Sequence, residues 1–242
     1  MTVDPYGDER LVELYDEDNR PGADHEYFLK LADGATKVID FGCGTGLLTR
    51  AFVQPGRVVL GVDPSATMLN YARRQPGAED VTWIDGDAGA VLPAGDADLV
   101  VSSGNTMMHI TTDDFPWVLE ALAAALRPGG VLSFESRNPA ARAWEQWGPE
   151  ATYSERDTPA GHLKEWMEVT EVGNGLVVFD AHNVFEDGVD TVYTTTLYFR
   201  TVDELRAGLE KAGFGDVEVY GGWHEQQLTD DSRLFVVRAT KP

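Results

Sequence analysis

The 242-residue chain sets 19 Lys plus Arg against 41 Asp plus Glu, a formal charge of -22, and a field of that sign argues against nucleic acid or anionic membrane surfaces as partners. At 43% hydrophobic residues it suits one core domain with room for an insertion, and Cys43 alone excludes an intrachain disulfide framework or a multi-cysteine zinc site. The opening "MTVDPYGDER" lacks the basic start and apolar centre of a signal peptide, and no apolar run approaches the ~18 residues of a membrane span, so a soluble, cytoplasmic protein is expected.

From residue 36 to about 135 strand and helix patterns alternate. "KVIDF" is a short apolar strand followed by the glycine stretch "GCGTG". "GLLTRAFV" then predicts a helix with Leu47, Leu48 and Ala51 inward. "RVVLGVD" (57–63) is a second strand, and "SATMLNYARR" a helix with Ser65 as N-cap and Met68, Leu69 and Ala72 at helical spacing. "VTWIDGD" (81–87) and "ADLVVSS" (97–103) are further strands. "TTDDFPWVLEALAAALRPGG" predicts a helix capped by Thr111, with Phe115, Leu119, Leu122 and Leu126 as its stripe. "GVLSFES" (130–136) closes the series. Short apolar strands separated by helices imply a parallel sheet covered on both faces.

After residue 136 the pattern changes. A helical piece with Trp144 and Trp147 precedes three strand candidates, "HLKEWMEVTEV", "GLVVFDAHNVFE" and "DTVYTTTLYFR", joined by the hairpin turns "GNG" and "EDG". In the third, Thr194, Thr196, Tyr198 and Arg200 share one face, open either to a pocket or to water. "TVDELRAGLEKAG" carries a capping box (Thr201, Glu204) and a terminating Gly213. "DVEVYGGW" and "RLFVVRAT" end the chain as strands.

A glycine-rich first turn lets a ligand lie against bare backbone at the carboxyl ends of the strands. The spacing here, Gly42, Gly44 and Gly46 after Asp40, is neither GxGxxG nor a Walker loop, which needs a lysine. With Asp63 ending the second strand and "GDA" after the third, "VIDFGCGTG", "GVDPSATMLNYAR" and "LPAGDADLVV" resemble the motifs of class I S-adenosylmethionine-dependent methyltransferases. That resemblance implies a doubly wound, Rossmann-like α/β fold with a seven-stranded, mostly parallel sheet and an inserted antiparallel β lid. Its implied boundaries are 1–137 for lid helices and cofactor-binding core, 138–200 for the insertion, and 201–242 for the helix and strands completing the sheet.

The resemblance assigns S-adenosylmethionine as cofactor. Asp40, Gly42, Gly44 and Gly46 would cradle its amino-acid end, Asp63 beside Pro64 its ribose hydroxyls, and Asp87 with Ala88 its adenine, on which Met68 packs. Ser103 and Tyr15 complete the cofactor set; Tyr15 and Tyr27 lie in a leader that resembles one folding over the cofactor in relatives with small substrates. The loop "SSGNTMMHI", which lacks the (Asn/Asp)-Pro-Pro-(Tyr/Phe) motif, would face the methyl group. His109 is the expected proton acceptor and Asn105 a substrate contact. Arg137 and Arg200 would together grip a carboxylate or phosphate. Trp144, Trp166, Tyr198, Trp223 and His224 would wall the pocket.

The expected activity is methyl transfer to N or O of a small metabolite. No metal is predicted, because Ser102, Ser103 and Gly104 stand where an acid would be wanted, and a homodimer is a further expectation. A non-catalytic cofactor-binding protein and, less well matched by the glycine spacing, a dinucleotide-dependent oxidoreductase stay open as alternatives.

Overall fold

A computed structural model describes residues 6–91 and 94–242. The first five residues of "MTVDPYGDER" and the first two of "LPAGDADLVV" lie outside the described residues. Seven strands form one sheet in the order β10-β11-β5-β4-β1-β2-β3. They are β1 (Lys37–Phe41), β2 (Val58–Asp63), β3 (Val81–Asp85), β4 (Ala97–Ser102), β5 (Leu126–Arg137), β10 (Asp216–Tyr220) and β11 (Leu234–Thr240). β1 to β5 run parallel, while β11 is antiparallel to both β5 and β10.

Both faces of this sheet are covered, which is why its central strands are apolar nearly throughout. On one face Ile39, Leu60, Val100, Leu132 and Phe134 pack on α5 (Phe115–Ala125) and α7 (Val202–Lys211) through Leu119, Leu122, Leu205 and Leu209. On the other, Val38, Val59, Leu99 and Val101 meet Tyr27 and Phe28 of α2 (Ala23–Leu31) and Leu48 and Phe52 around α3 (Leu47–Ala51). The direction of strand addition reverses between β1 and β4, and that switch point opens a crevice above their carboxyl ends.

Several local expectations need correction. α3 is a single turn that buries Leu48, Thr49 and Phe52 and exposes Ala51. Thr49 turns inward because its hydroxyl donates to Asp40 at 2.6 Å. Thr111 does not cap α5; it closes the preceding turn by accepting from the Asp114 amide at 3.1 Å, and Pro116 sits in the helix's first turn. The predicted helical piece at Trp144 and Trp147 consists of short 3-10 turns and the one-turn α6 (Pro149–Thr152).

A second, antiparallel sheet has four strands rather than three: β6 (Ser154–Thr158), β7 (Gly161–Gly173), β8 (Leu176–Val184) and β9 (Asp190–Tyr198), in that order. β6, "SERDT", has no apolar alternation to betray it and is held by its pairing with β7. Asn174 and Gly175, with φ of 53 and 75, make the tight turn joining β7 to β8. The acidic helix α1 (Glu9–Asp18) docks on this sheet by packing Leu14 against Leu163 and Phe185. Among the described residues no helix is long and apolar enough to cross a membrane.

Candidate active site

The three glycines of the first turn have positive φ and three different neighbours. A Cβ on Gly42 would stand 2.2 Å from Thr106, and one on Gly46 2.3 Å from the Trp83 ring, so these two admit other parts of the fold. Gly46 is therefore a packing residue under Trp83 rather than a bare surface for a ligand. At Gly44 the nearest atom would be the Met68 sulfur at 4.0 Å. Gly104, at the end of β4, is similarly open, with only the Tyr15 hydroxyl at 3.7 Å. Bare backbone thus faces the crevice at Gly44 and Gly104.

Around them stand buried acids. Asp63 accepts from the Gly44 and Ser65 amides, each at 2.8 Å, which fixes its carboxylate. Asp40 takes the Thr49 hydroxyl on one oxygen, while Oδ1 is buried with no partner. Burial pushes the Asp40 carboxyl up to about 7, and the charge of Asp63 adds to the rise. Asp87 is exposed and accepts from the Gly89 amide at 2.8 Å, holding the turn that contains buried Ala88. An orphaned acid oxygen, an open glycine with φ of 53 and an anchored carboxylate at the second strand's end fit a cofactor with a zwitterionic amino-acid end, whose ammonium group the acid can meet, and a ribose.

The crevice continues into a cavity of about 370 Å³ lined by Met68, Gly104, Asn105, His109 and Arg137 from the core, Tyr6 and Tyr15 from the leader, and inward residues of the second sheet. His109 is held at the end of a 3-10 turn (Thr106–Met108), and burial lowers its pKa, which keeps the imidazole neutral near pH 7. Tyr15 is pushed up to about 12 by burial and by Asp63 and Glu135, so its hydroxyl stays a donor. Asn105 adopts φ 60, and its amide donates to Glu135 Oε1 at 2.5 Å.

Several predicted wall residues lie elsewhere. The inward face of the second sheet carries Glu165, Met167, Phe179, Ala181, Asn183, Tyr193, Thr195 and Leu197. Thr194, Thr196 and Tyr198 occupy the opposite face, so the expected alternation holds and, of the two outcomes open to that face, it is the one turned away from the cavity; Tyr198 is thus not a wall residue. Trp166 also points outward, stacked on His182 at 4.6 Å. Trp144 packs on Phe199 at 4.7 Å in the apolar cluster behind the cavity wall, which also holds Trp147, Phe179 and Leu197, and does not itself line the cavity.

Arg200 is buried beside the Phe115 ring and donates to the carbonyls of Met107, Ile110 and Thr111, which leaves it no fork for a ligand. Trp223 packs against Tyr27 and Phe28 beside a different groove, which His224 also lines. Tyr27 is accordingly a core residue.

Two features escaped the sequence reading. Glu135 is an acid in the apolar strand β5, 5% exposed, with Oε2 unpartnered and its carboxyl pushed by burial up to about 7. Its signal was there: one charge within "VLSFES". The second is Arg156, which grips Asp18 of α1 at 2.6 and 2.7 Å and reaches Glu165 at 3.2 Å, tying leader to inserted sheet at the cavity mouth. Nothing local in "SERDT" marks that contact.

Residues 38–130 match the family model described as a methyltransferase domain. Trans-aconitate 2-methyltransferase of Azoarcus sp. is 36% identical over 132 residues, 54% of this chain and 50% of that one. Malonyl-[acyl-carrier protein] O-methyltransferase of Pectobacterium atrosepticum is 33% identical over 143 residues, 57% and 53% of the two chains. The chain thus spans about half the length of the curated relatives it matches. The structure of the CcbJ methyltransferase from Streptomyces caelestis shares the fold across 99% of this chain and 100% of its own, with a TM-score of 0.80 at 21% identity.

Sheet order, open glycines and matched domain together define a Rossmann-like methyltransferase fold. Residues 38–130 are similar to a methyltransferase domain, and the fold is shared with a solved S-adenosylmethionine-dependent methyltransferase from Clostridium acetobutylicum, at a TM-score of 0.78 and 15% identity.

Proposed function

We propose that this chain transfers a methyl group from S-adenosylmethionine to a nitrogen or oxygen of a small molecule held between the core and the inserted sheet. The observation that carries the reading is one continuous cavity that touches Met68 and Gly104 on the cofactor side and the inward face of the second sheet on the other. The names of the relatives, one for trans-aconitate and one for a malonyl group on a carrier protein, support an acceptor presented as a small group.

When bound, the cofactor supplies an electrophilic methyl carbon on a sulfonium. Asp40 and the Gly44 backbone hold its amino-acid end, Asp63 its ribose, and Asp87, Ala88 and Met68 its adenine. Tyr15 lies over Gly104 and, with Tyr6, helps exclude water from the transfer path. The cavity walls would hold the acceptor's nucleophilic atom toward Gly104, where the bound cofactor would supply its methyl group. Where the acceptor loses a proton, a nitrogen of the neutral His109 ring takes it.

The test is turnover with labelled methyl donor and a panel of small amines, acids and hydroxylated metabolites. Label moving into a panel member, with loss of rate in His109→Asn for acceptors that shed a proton, supports the reading. Tight binding of S-adenosylhomocysteine with no transfer to any member of so broad a panel points instead to a non-catalytic binding protein.

A further inference from the structure

Charge inside the cavity is unevenly satisfied. The lining acids Asp18 and Glu165 both face Arg156, at 2.6 and 3.2 Å. Arg137 also lines the cavity, and no described residue hydrogen-bonds or ion-pairs with its guanidinium. Its backbone is pinned, the amide donating to the Met108 sulfur at 3.3 Å, and its Cζ lies 5.4 Å from the Trp147 ring centroid. Glu135, two residues earlier on the same strand face, makes no ion pair with it; one oxygen takes the Asn105 amide. Every other arginine of the described residues that is not exposed has a hydrogen-bonded partner.

A half-buried guanidinium without a hydrogen-bonded partner is costly: burial lowers the pKa of Arg137, the charge of nearby Glu135 opposes part of that fall, and the arginine stays far from neutrality. Its fork is open to an anionic group on a bound ligand. One guanidinium balances one negative charge and presents a planar fork that matches a carboxylate. A doubly charged phosphate would meet no second cation in the lining. Trp147, Phe179, Met167 and Leu197 give the same end of the site an apolar wall.

We infer that the methyl acceptor is a small carboxylic acid, anchored through its carboxylate by Arg137 and presenting its nucleophile toward Gly104. This rests on the methyltransferase reading and narrows it: Arg137 alone, without Arg200, selects the acceptor. Its carboxylate and its reacting atom share the one cavity of about 370 Å³, which keeps the acceptor below the size of a large drug-like ligand.

The experiment has two arms on the full chain. In the first, amino acids and hydroxy acids are each paired with their primary amides and assayed for S-adenosylhomocysteine release by wild type, Arg137→Lys and Arg137→Met. The acids are expected to outperform their amides by ~10-fold or more, with ~100-fold loss of kcat/KM on the acids in Arg137→Met and part of it restored by Lys. The affinity for S-adenosylhomocysteine, measured by calorimetry, should be the same in all three proteins.

In the second arm benzoate and benzamide are titrated at millimolar concentration while tryptophan fluorescence reports on Trp147. Benzoate should quench wild type saturably and leave Arg137→Met unchanged, and benzamide should do neither. Equal use of acids and amides, or benzoate quenching that survives in Arg137→Met or is absent from wild type, overturns the proposal. The calorimetric control keeps the two failures apart, since loss of S-adenosylhomocysteine binding by wild type would strike the methyltransferase reading itself.

Discussion

Asp18, in the last turn of α1, and Arg156, on β6, face each other in a two-point ion pair of 2.6 and 2.7 Å across the mouth of the cavity. Two residues earlier in α1, Asp16 turns the other way and meets Thr45 and Arg50 of the glycine turn and α3. Acids at a helix C-terminus oppose its dipole, so α1 depends on both sets of partners. The helix is a strap from core to inserted sheet, and it carries Tyr15 over Gly104.

Breaking that strap should affect closure more than stability. The Asp18 and Arg156 side chains are 41% and 30% exposed, and pairs so placed contribute at most ~1 kcal/mol to folding. Arg156→Gln is expected to leave the melting temperature within a few degrees of wild type while raising acceptor KM roughly 3- to 10-fold. The charge swap Asp18→Arg with Arg156→Asp should recover part of that loss, and steady-state kinetics at two ionic strengths will show whether it does.

The first and second glycines of the turn should fail differently. Gly42→Ala drives a methyl group into Thr106 at a φ of 76, so a loss of ~2–4 kcal/mol in denaturant unfolding is expected. Gly44→Ala has room and carries only the ~1–2 kcal/mol cost of a left-handed alanine, but its methyl group occupies the cofactor cradle. Calorimetry should find weaker S-adenosylhomocysteine binding in Gly44→Ala, with a smaller loss of stability than in Gly42→Ala.

Glu135 gives a pH signature. Burial raises its folded-state pKa to about 7, above its ordinary value of 4.5, so between those limits the folded chain binds more protons than the unfolded one. Its contribution to stability therefore falls as pH rises from about 4.5 to about 7 and is level above that. Glu135→Gln removes the penalty: it should stabilise the ligand-free protein by on the order of 2 kcal/mol at pH 8 and by little at pH 4.5. Urea titrations at the two pH values supply the comparison, and equal effects at both would refute it.

Arg200 should be a structural residue. Its donors reach three carbonyls of the loop after β4, at 3.1, 2.6 and 3.2 Å. Arg200→Met leaves these acceptors unsatisfied, and a loss of ~2–4 kcal/mol is expected with the ratio of acid to amide turnover unchanged. A change in that ratio would return Arg200 to the substrate site.

What could be read from the sequence followed from how local each signal is. β1, β2 and β4 declare themselves because strands buried on both faces are apolar throughout, and the capping box of Thr201 and Glu204 forms as its spacing implies. Asp40 and the open Gly44 come from one short motif and Asp63 from the end of the next strand, so the parallel pairing of β1 with β2 is enough to bring them together. The inserted sheet is harder. Its alternation defines two faces, and only tertiary packing under α1 makes Tyr193, Thr195 and Leu197 the inner one. Arg137 and Arg200 look alike in sequence; they part because one reaches backbone carbonyls and the other reaches open cavity.

The central claim, that the crevice above β1 and β4 holds S-adenosylmethionine through Asp63 and the Gly44 backbone, is tested most directly by calorimetric titration of S-adenosylhomocysteine into wild type and Asp63→Ala, with NAD as the control ligand. The account predicts one saturable site in wild type, a loss of ~10-fold or more in affinity in Asp63→Ala, and no binding of NAD. Affinity unchanged by the Asp63 substitution, or a preference for NAD, would contradict it.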